Sequence, residues 1–169
     1  ALVQSGNEPA APDFWCGRNL FTAFIPWGGD TVEDGIILSA SGAQRLSNVD
    51  HQVEPGDKLS NRHGSKGIVS RILPDDQMPR LADGRPVELI FSGMRLPGRQ
   101  NFGQLWEAIL GRLAYIEGTP IIAPPLYGPD ETELCHRLVA VGLPEAGMEQ
   151  LINGATGAAL TQRATVGWL

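Results

Sequence analysis

Apolar residues in this chain come in short bursts separated by glycine, proline and charge. RNLFTAFIPW at 18–27 is a β-prone apolar run, which predicts a buried strand that Pro26 ends or bends. GIILS at 35–39 predicts a second strand, 40–46 a short helical turn, and 47–55 a polar, exposed connector. The stretch 56–67 reads as a loop, IVSRIL at 68–73 as a strand, and Asp83-Gly84 as a turn before an alternating strand at 86–91. Pro97 and Gly98 mark another loop. Apolar positions 102, 105, 106, 109, 110 and 113 predict a helix over 101–116 with Asn101 as its N-cap. TPIIAPPL at 119–126 is extended, and DETELCHRLVAVG at 130–142 has the acid-first, glycine-last polarity of a second helix. INGATG at 152–157 is a turn, TQRATVGWL at 161–169 a closing strand, and 1–13 an irregular lead-in.

Composition narrows this picture. With 169 residues, 42% of them hydrophobic, the chain suffices for one domain, and no Gly/Ser linker or internal repeat divides it. Its 21 Gly and 13 Pro favour many turns and short elements. The expected fold is mainly β, short strands around a barrel or sheet with two or three helices as crossovers. No run of 18 apolar residues suggests a membrane span, and Ala1 in place of Met suggests a trimmed N-terminus or an excised domain. A formal charge of −6 argues against indiscriminate nucleic-acid binding. Cys16 and Cys135 lie far apart without a metal-ligand spacing, so they read as buried thiols in a reducing cytoplasm.

Against that acidic background, GDKLSNRHGSKG at 56–67 collects two Lys, one Arg, one His and three Gly. It is not a Walker loop, because Gly67 follows Lys66 and no glycine stands five before Gly64. Glycines still let backbone N–H groups approach an anion, and Lys and Arg suit phosphate oxygens. From composition alone the loop is either a cradle for polyphosphate or RNA backbone, or a solvated basic turn. Glu33 and Asp34 could hold a hard cation or form an exposed acidic turn. Arg99 precedes a helix start, where it faces an anion or solvent. His136 sits mid-helix without a second ligand, and no nucleophile pairs with His63.

The order of these motifs carries a resemblance. GDKLSNRHGSKGIVSRILPDDQMPRLADGRPVELIF resembles the GDK-x-x-x-RHG-x-KG…DMP-x-x-x-DG-x-P segment of the β subunit of multisubunit RNA polymerases. GRNLFTAFIPWGGDTVEDGIILS is similar to that family's GRNLLVAFMPW…FEDAIVIS, and LPGRQNFGQLWEAILG to its VPSRMN-x-GQ-x-x-E-x-x-LG. INGATGAALTQRATVGWL resembles DGRTGE…VTVGYM, and ALVQSGNEPAAPD resembles PLVGTGMEY-x-AA-x-D. The resemblance implies a six-stranded double-psi β-barrel over 1–169, with 111–150 a helical or irregular insertion. It implies that Lys58 and Lys66 lie near the RNA 3′ end and incoming nucleotide, and that Arg99 approaches the triphosphate. It places Glu33 and Asp34 near a second Mg²⁺, and Arg62 and His63 in the RNA- or nucleotide-binding motif. The implied partners are a β′-like barrel, a nucleoside triphosphate and an RNA/DNA hybrid.

The departures shape the expected activity. About 17 residues bridge GIILS to GDK, where the family carries a long insertion, and the family's PSRMN stands as PGRQN. The D-x-D-G-D segment that holds the catalytic Mg²⁺ belongs to β′ in the family, and the chain has none. The chain is therefore expected to be half of a nucleotidyltransferase centre, inactive alone, with Mg²⁺ supplied mainly by the β′-type partner. The alternative is a non-catalytic, polymerase-derived module that binds a subunit or acts as an inhibitor decoy.

Overall fold

The computed structural model describes residues 1–8 and 17–169; the expected thiol at Cys16 lies outside them. The elements in chain order are β1 (Val3–Gln4), β2 (Phe21–Phe24), β3 (Gly35–Ser39), α1 (Ala40–Leu46), β4 (Lys58–Ser60), β5 (Lys66–Leu73) and β6 (Leu89–Phe91). They continue with α2 (Leu96–Arg99), α3 (Gly103–Glu117), β7 (Ile121–Ile122), α4 (Glu131–Ala140), β8 (Met148–Ile152) and β9 (Ala159–Trp168). Cys135 is a free thiol on α4. No helix among the described residues is long and apolar enough to cross a membrane.

The main sheet runs β4-β5-β3-β6-β2-β9-β8, while β1 and β7 form a separate parallel pair. The expected closed six-stranded barrel does not emerge from this ladder, which is a mixed open series of seven strands. Two isolated bridges nevertheless tie Arg80 to Ile152 at the β8 edge and to Pro86 just before β6. Inside that curl lies a core of Phe21, Ile37, Met78, Leu81, Val87, Ile90, Leu151 and Val166. The opposite face buries Phe24, Ile36, Leu38, Val69, Phe91 and Leu96. β2 and β3 are buried along their whole length, as their unbroken apolar runs require when both faces are covered.

Several sequence expectations shift for identifiable reasons. The 18–27 run forms a strand over Phe21–Phe24, with flanking backbone bonds at Leu20 and Ile25, and stops short of Pro26. Pro97 and Gly98 stand inside α2, not in a loop, because proline is tolerated in a first helical turn, where an N–H has no intrahelical partner. Asn101 does not cap α3; the residue before the helix is Phe102, and the Asn101 amide donates to Ser65 Oγ at 3.2 Å. The predicted loop 56–67 contains all of β4 and the start of β5. β8 was not anticipated, and β1 lies inside the expected lead-in. The stretch 111–150 begins within α3 and ends within β8. The second helix forms as expected, with the Asp130 side chain accepting from the Glu133 amide at 2.8 Å.

α3 rests on β9 through two glycines. A Cβ at Gly167 would stand 1.8 Å from the Ala108 carbonyl oxygen, and one at Gly111 would stand 2.4 Å from that of Trp168. Neither obstacle is a flexible side-chain end, so the two backbones would have to part. Gly167→Ala is therefore expected to lower the unfolding free energy by about 1–3 kcal/mol. Gly98→Ala, in open space on α2, is expected to leave it unchanged or raised by up to about 1 kcal/mol. Urea unfolding of the two variants beside the wild type checks the contrast, and equal stabilities would refute the backbone contact.

Candidate functional site

β4 and β5 pair antiparallel, with Lys58 opposite Ile68, Leu59 opposite Gly67 and Ser60 opposite Lys66. Because side chains alternate along a strand, this register puts Lys58, Ser60, Lys66 and Ile68 on one face. The burial pattern agrees: Lys58, Ser60, Lys66 and Ile68 are exposed, while Gly67 is buried. The two lysines are diagonal neighbours, a relation that spans about 7–8 Å in an antiparallel ladder. Among the described residues neither lysine forms an ion pair.

Gly67 joins this hairpin to the acidic turn. β5 runs parallel to β3, and a Cβ at Gly67 would lie 2.3 Å from the Asp34 carbonyl oxygen. Only glycine allows that approach. Glu33 and Asp34 both adopt left-handed backbone, with φ of 53° and 70°, at the end of a kinked 3-10 turn over Gly28–Asp34. Such conformations cost about 1–3 kcal/mol each in a non-glycine residue. The Arg99 guanidinium, at the end of α2, donates through Nη2 to Asp34 Oδ2 at 2.5 Å. Lys58, Lys66, Asp34 and Arg99 thus belong to one connected region, with the Glu33 side chain exposed beside it.

Arg62 and His63 are engaged separately, at the turn end of the hairpin. They lie in the turn between β4 and β5, where Gly64 takes left-handed backbone and Asn61 Oδ1 accepts from the His63 and Ser65 amides at 3.0 and 3.1 Å. Glu107, on α3 and only 8% exposed, receives both side chains: Arg62 Nη2 donates to Oε1, and His63 Nε2 lies 2.5 Å from Oε2. Burial pushes the Glu107 carboxyl up, but the hydrogen bonds from His63 and Arg62 outweigh it and hold the group below the usual glutamate range. Fully buried Gln104 links Asn61 to Ser65, with bonds of 2.9 and 3.0 Å. Sequence reasoning missed Glu107 as a site residue. Its signal was the glutamate of the GQ-x-x-E pattern, which on a helix also reads as an ordinary surface acid.

Asp57, beside Lys58, closes the connector. Its Oδ2 accepts from the Glu54 amide and lies beside His51 Nε2, both at 2.9 Å, and these contacts, in that order, hold its carboxyl below the usual range. The turn and α3 border a cavity of about 1490 Å³ lined by Arg62, His63, Lys66, Trp106 and Glu107, with Phe24 and Phe91 behind. Among the described residues no three His, Cys, Asp or Glu groups cluster as a metal cage. The region's chemistry is that of a cationic, partly apolar surface suited to an anion.

Comparison with known proteins agrees with the motif order. Residues 43–169 match the family model described as RNA polymerase Rpb2, domain 6. The chain is 42% identical over 141 residues to the DNA-directed RNA polymerase subunit beta of Solibacter usitatus, an alignment covering 83% of this chain and 10% of that protein. It is 41% identical over 118 residues to the subunit of the same name from Clostridium acetobutylicum, covering 70% and 10%, and 37% identical over 143 residues to that of Acetivibrio thermocellus, covering 82% and 11%. The chain thus spans about a tenth of the length of these relatives.

The Glu107 contacts predict an acid-side loss of stability. Its folded pKa is depressed, so its contribution is complete above the ordinary value of 4.5 and is lost as pH falls through the folded pKa. The stability gap between wild type and Glu107→Gln, read by urea unfolding, should narrow as the pH falls below the ordinary value of 4.5 and through the depressed folded pKa. A gap constant across that window would refute the assignment.

Proposed function

We propose, from the premise that this chain belongs to the RNA polymerase Rpb2 domain 6 family and is a β-subunit-like domain, that it presents the phosphate-facing half of a nucleotidyltransferase centre. Lys58 and Lys66 meet phosphate oxygens of the RNA 3′ end and the incoming nucleotide. Arg99 approaches the triphosphate. The observation that carries this reading is the placement of both lysines on one exposed face of a hairpin, with Gly67 backed against the Asp34 that holds Arg99. As point charges on flexible stems, lysines suit mobile phosphate oxygens, and a guanidinium adds a directional fork. Developing charge on a transferring phosphoryl group is the kind such cations stabilise.

Mg²⁺ would supply the charge neutralisation and nucleophile activation of phosphoryl transfer when bound. Two adjacent carboxylates make only part of a Mg²⁺ shell, which is commonly completed by phosphate oxygens and water. Glu33 and Asp34 fit that partial role for a nucleotide-borne ion, with Asp34 also orienting Arg99. The catalytic ion's own carboxylates come from a β′-like barrel, so this domain contributes to DNA-templated RNA synthesis only beside such a partner. The double-psi barrel fold is part of the same reading; the Arg80 bridges, which draw the β8 edge toward β6 around one core, support it.

Calorimetric titration with tripolyphosphate, and with a nucleoside triphosphate plus Mg²⁺, tests the site. Lys58→Ala/Lys66→Ala is expected to weaken both affinities at least about tenfold, or about 1.4 kcal/mol. Raising the salt should weaken wild-type binding more steeply than that of the variant. Equal affinities would sink the proposal.

A further inference from the structure

In the lysine-bearing hairpin β5 is held by β3 on its other side, whereas β4 pairs with β5 alone. β4 has three residues and stands at the sheet edge, and short two-stranded hairpins are marginal in water. Its turn is closed by Asn61's own bonds to Ser65 and His63 and is tied down from outside as well. Arg62 Nη2 reaches both Glu107 and the Val3 carbonyl oxygen, the latter at 3.1 Å. His63 spends Nε2 on Glu107, and the Nδ1 edge of its ring lies against Gly103, where an added Cβ would stand 2.9 Å from Nδ1. Asn101 and Gln104 both donate to Ser65. Every one of these anchors apart from Val3 lies on α3 or just before it, and Glu107 is the only carboxylate among them.

We infer that Glu107 is a positioning residue for the lysine pair, and that Arg62 and His63 act through it rather than as phosphate ligands. The inference rests on the phosphate-binding reading for its consequence, but not for the clip itself. A buried carboxylate with two donors is held in place because losing either donor leaves charge unmatched in a desolvated site. The contact therefore fixes the turn, and the turn fixes the separation and facing of Lys58 and Lys66. It also neutralises Arg62, so the lysines dominate the local positive field.

The test begins with amide hydrogen exchange on the ligand-free chain, wild type against Glu107→Gln. The His63 and Ser65 amides, which bond to Asn61 Oδ1, should exchange about tenfold faster in the variant, while Ala23 and Ile37 in the buried strands stay unchanged. Unchanged exchange at the turn, or equal acceleration throughout the sheet, overturns the inference. Tripolyphosphate titration then reads the consequence. Glu107→Gln should weaken binding about tenfold in the wild-type background and have little further effect in Lys66→Ala. An additive loss in the second background overturns action through the lysines. Should Glu107→Gln fail to fold, His63→Gln, which removes one of the two donors, is read in the same way. A wild-type chain that binds no tripolyphosphate would retire the phosphate reading, while the exchange measurement, which needs no ligand, still decides the clip.

Discussion

The parallel pairing of β3 with β5 is the constraint on which the candidate site depends. It is possible at the site end only because position 67 carries no side chain, so that the backbone leaving the acidic turn can lie against the backbone leaving Lys66. Gly35 meets a separate, local requirement at the start of β3, where a Cβ would stand 2.2 Å from the Asp30 carbonyl oxygen of the preceding turn. Through Gly67, two segments separated by about thirty residues are joined at main-chain distance. Arg99 then reaches Asp34 from a third segment, and the helix after it supplies Glu107 to the hairpin turn. Positions scattered over much of the chain converge because one glycine contact sets where the strands meet.

Carboxylates sort the cations of this region into two kinds. Asp34 engages Arg99, and Glu107 engages Arg62 and His63. Both acids come from elements other than the basic hairpin, and both choose groups whose planar geometry suits a carboxylate. The lysines are left facing solvent on the hairpin's outer face. An arginine held by a partly exposed acid, 38% and 19% for the two side chains, can still exchange that partner for another anion. An arginine held by a buried acid does so only by leaving that carboxylate to its remaining partner, His63 in the case of Glu107. The difference lies in the acids, 9% exposed for the Glu107 side chain against 19% for Asp34, because Arg62 is itself the more exposed arginine.

Much of this was legible in the chain itself. GIILS and the helix after it form where pattern placed them, because an unbroken apolar run followed by a serine cap leaves little choice: the Ser39 side chain accepts from the Gly42 amide. The basic loop was visible by composition. Its strand content was not, since Lys-Leu-Ser has one apolar residue and becomes a strand only through pairing with β5. β8 was missed for a similar reason: MEQLI buries only Leu151 fully, and its strand character comes from β9 and Arg80. α2 was obscured by Pro97 and Gly98, which discourage a helix in isolation but are tolerated in a single turn anchored by buried Leu96. Glu107 was legible as a letter in a pattern and illegible as a partner, because no local rule links a helix acid to a turn some 44 residues earlier.

An acidic chain can present a basic face without contradiction, because net charge and local field act over different distances. At physiological ionic strength exposed charges more than about 8 Å apart are largely screened from one another. The acids that bring the total to −6 are distributed over the whole surface, whereas the two lysines stand within about one screening length of each other on a single face. An approaching phosphate senses the pair, not the sum. The distributed negative charge opposes loose accumulation of nucleic acid, whereas two cations held close together make a local exception to it. Glu107 does not offset that pair: its charge is buried between α3 and the turn, and the positive charge that answers it comes from Arg62 and His63 rather than from the lysines.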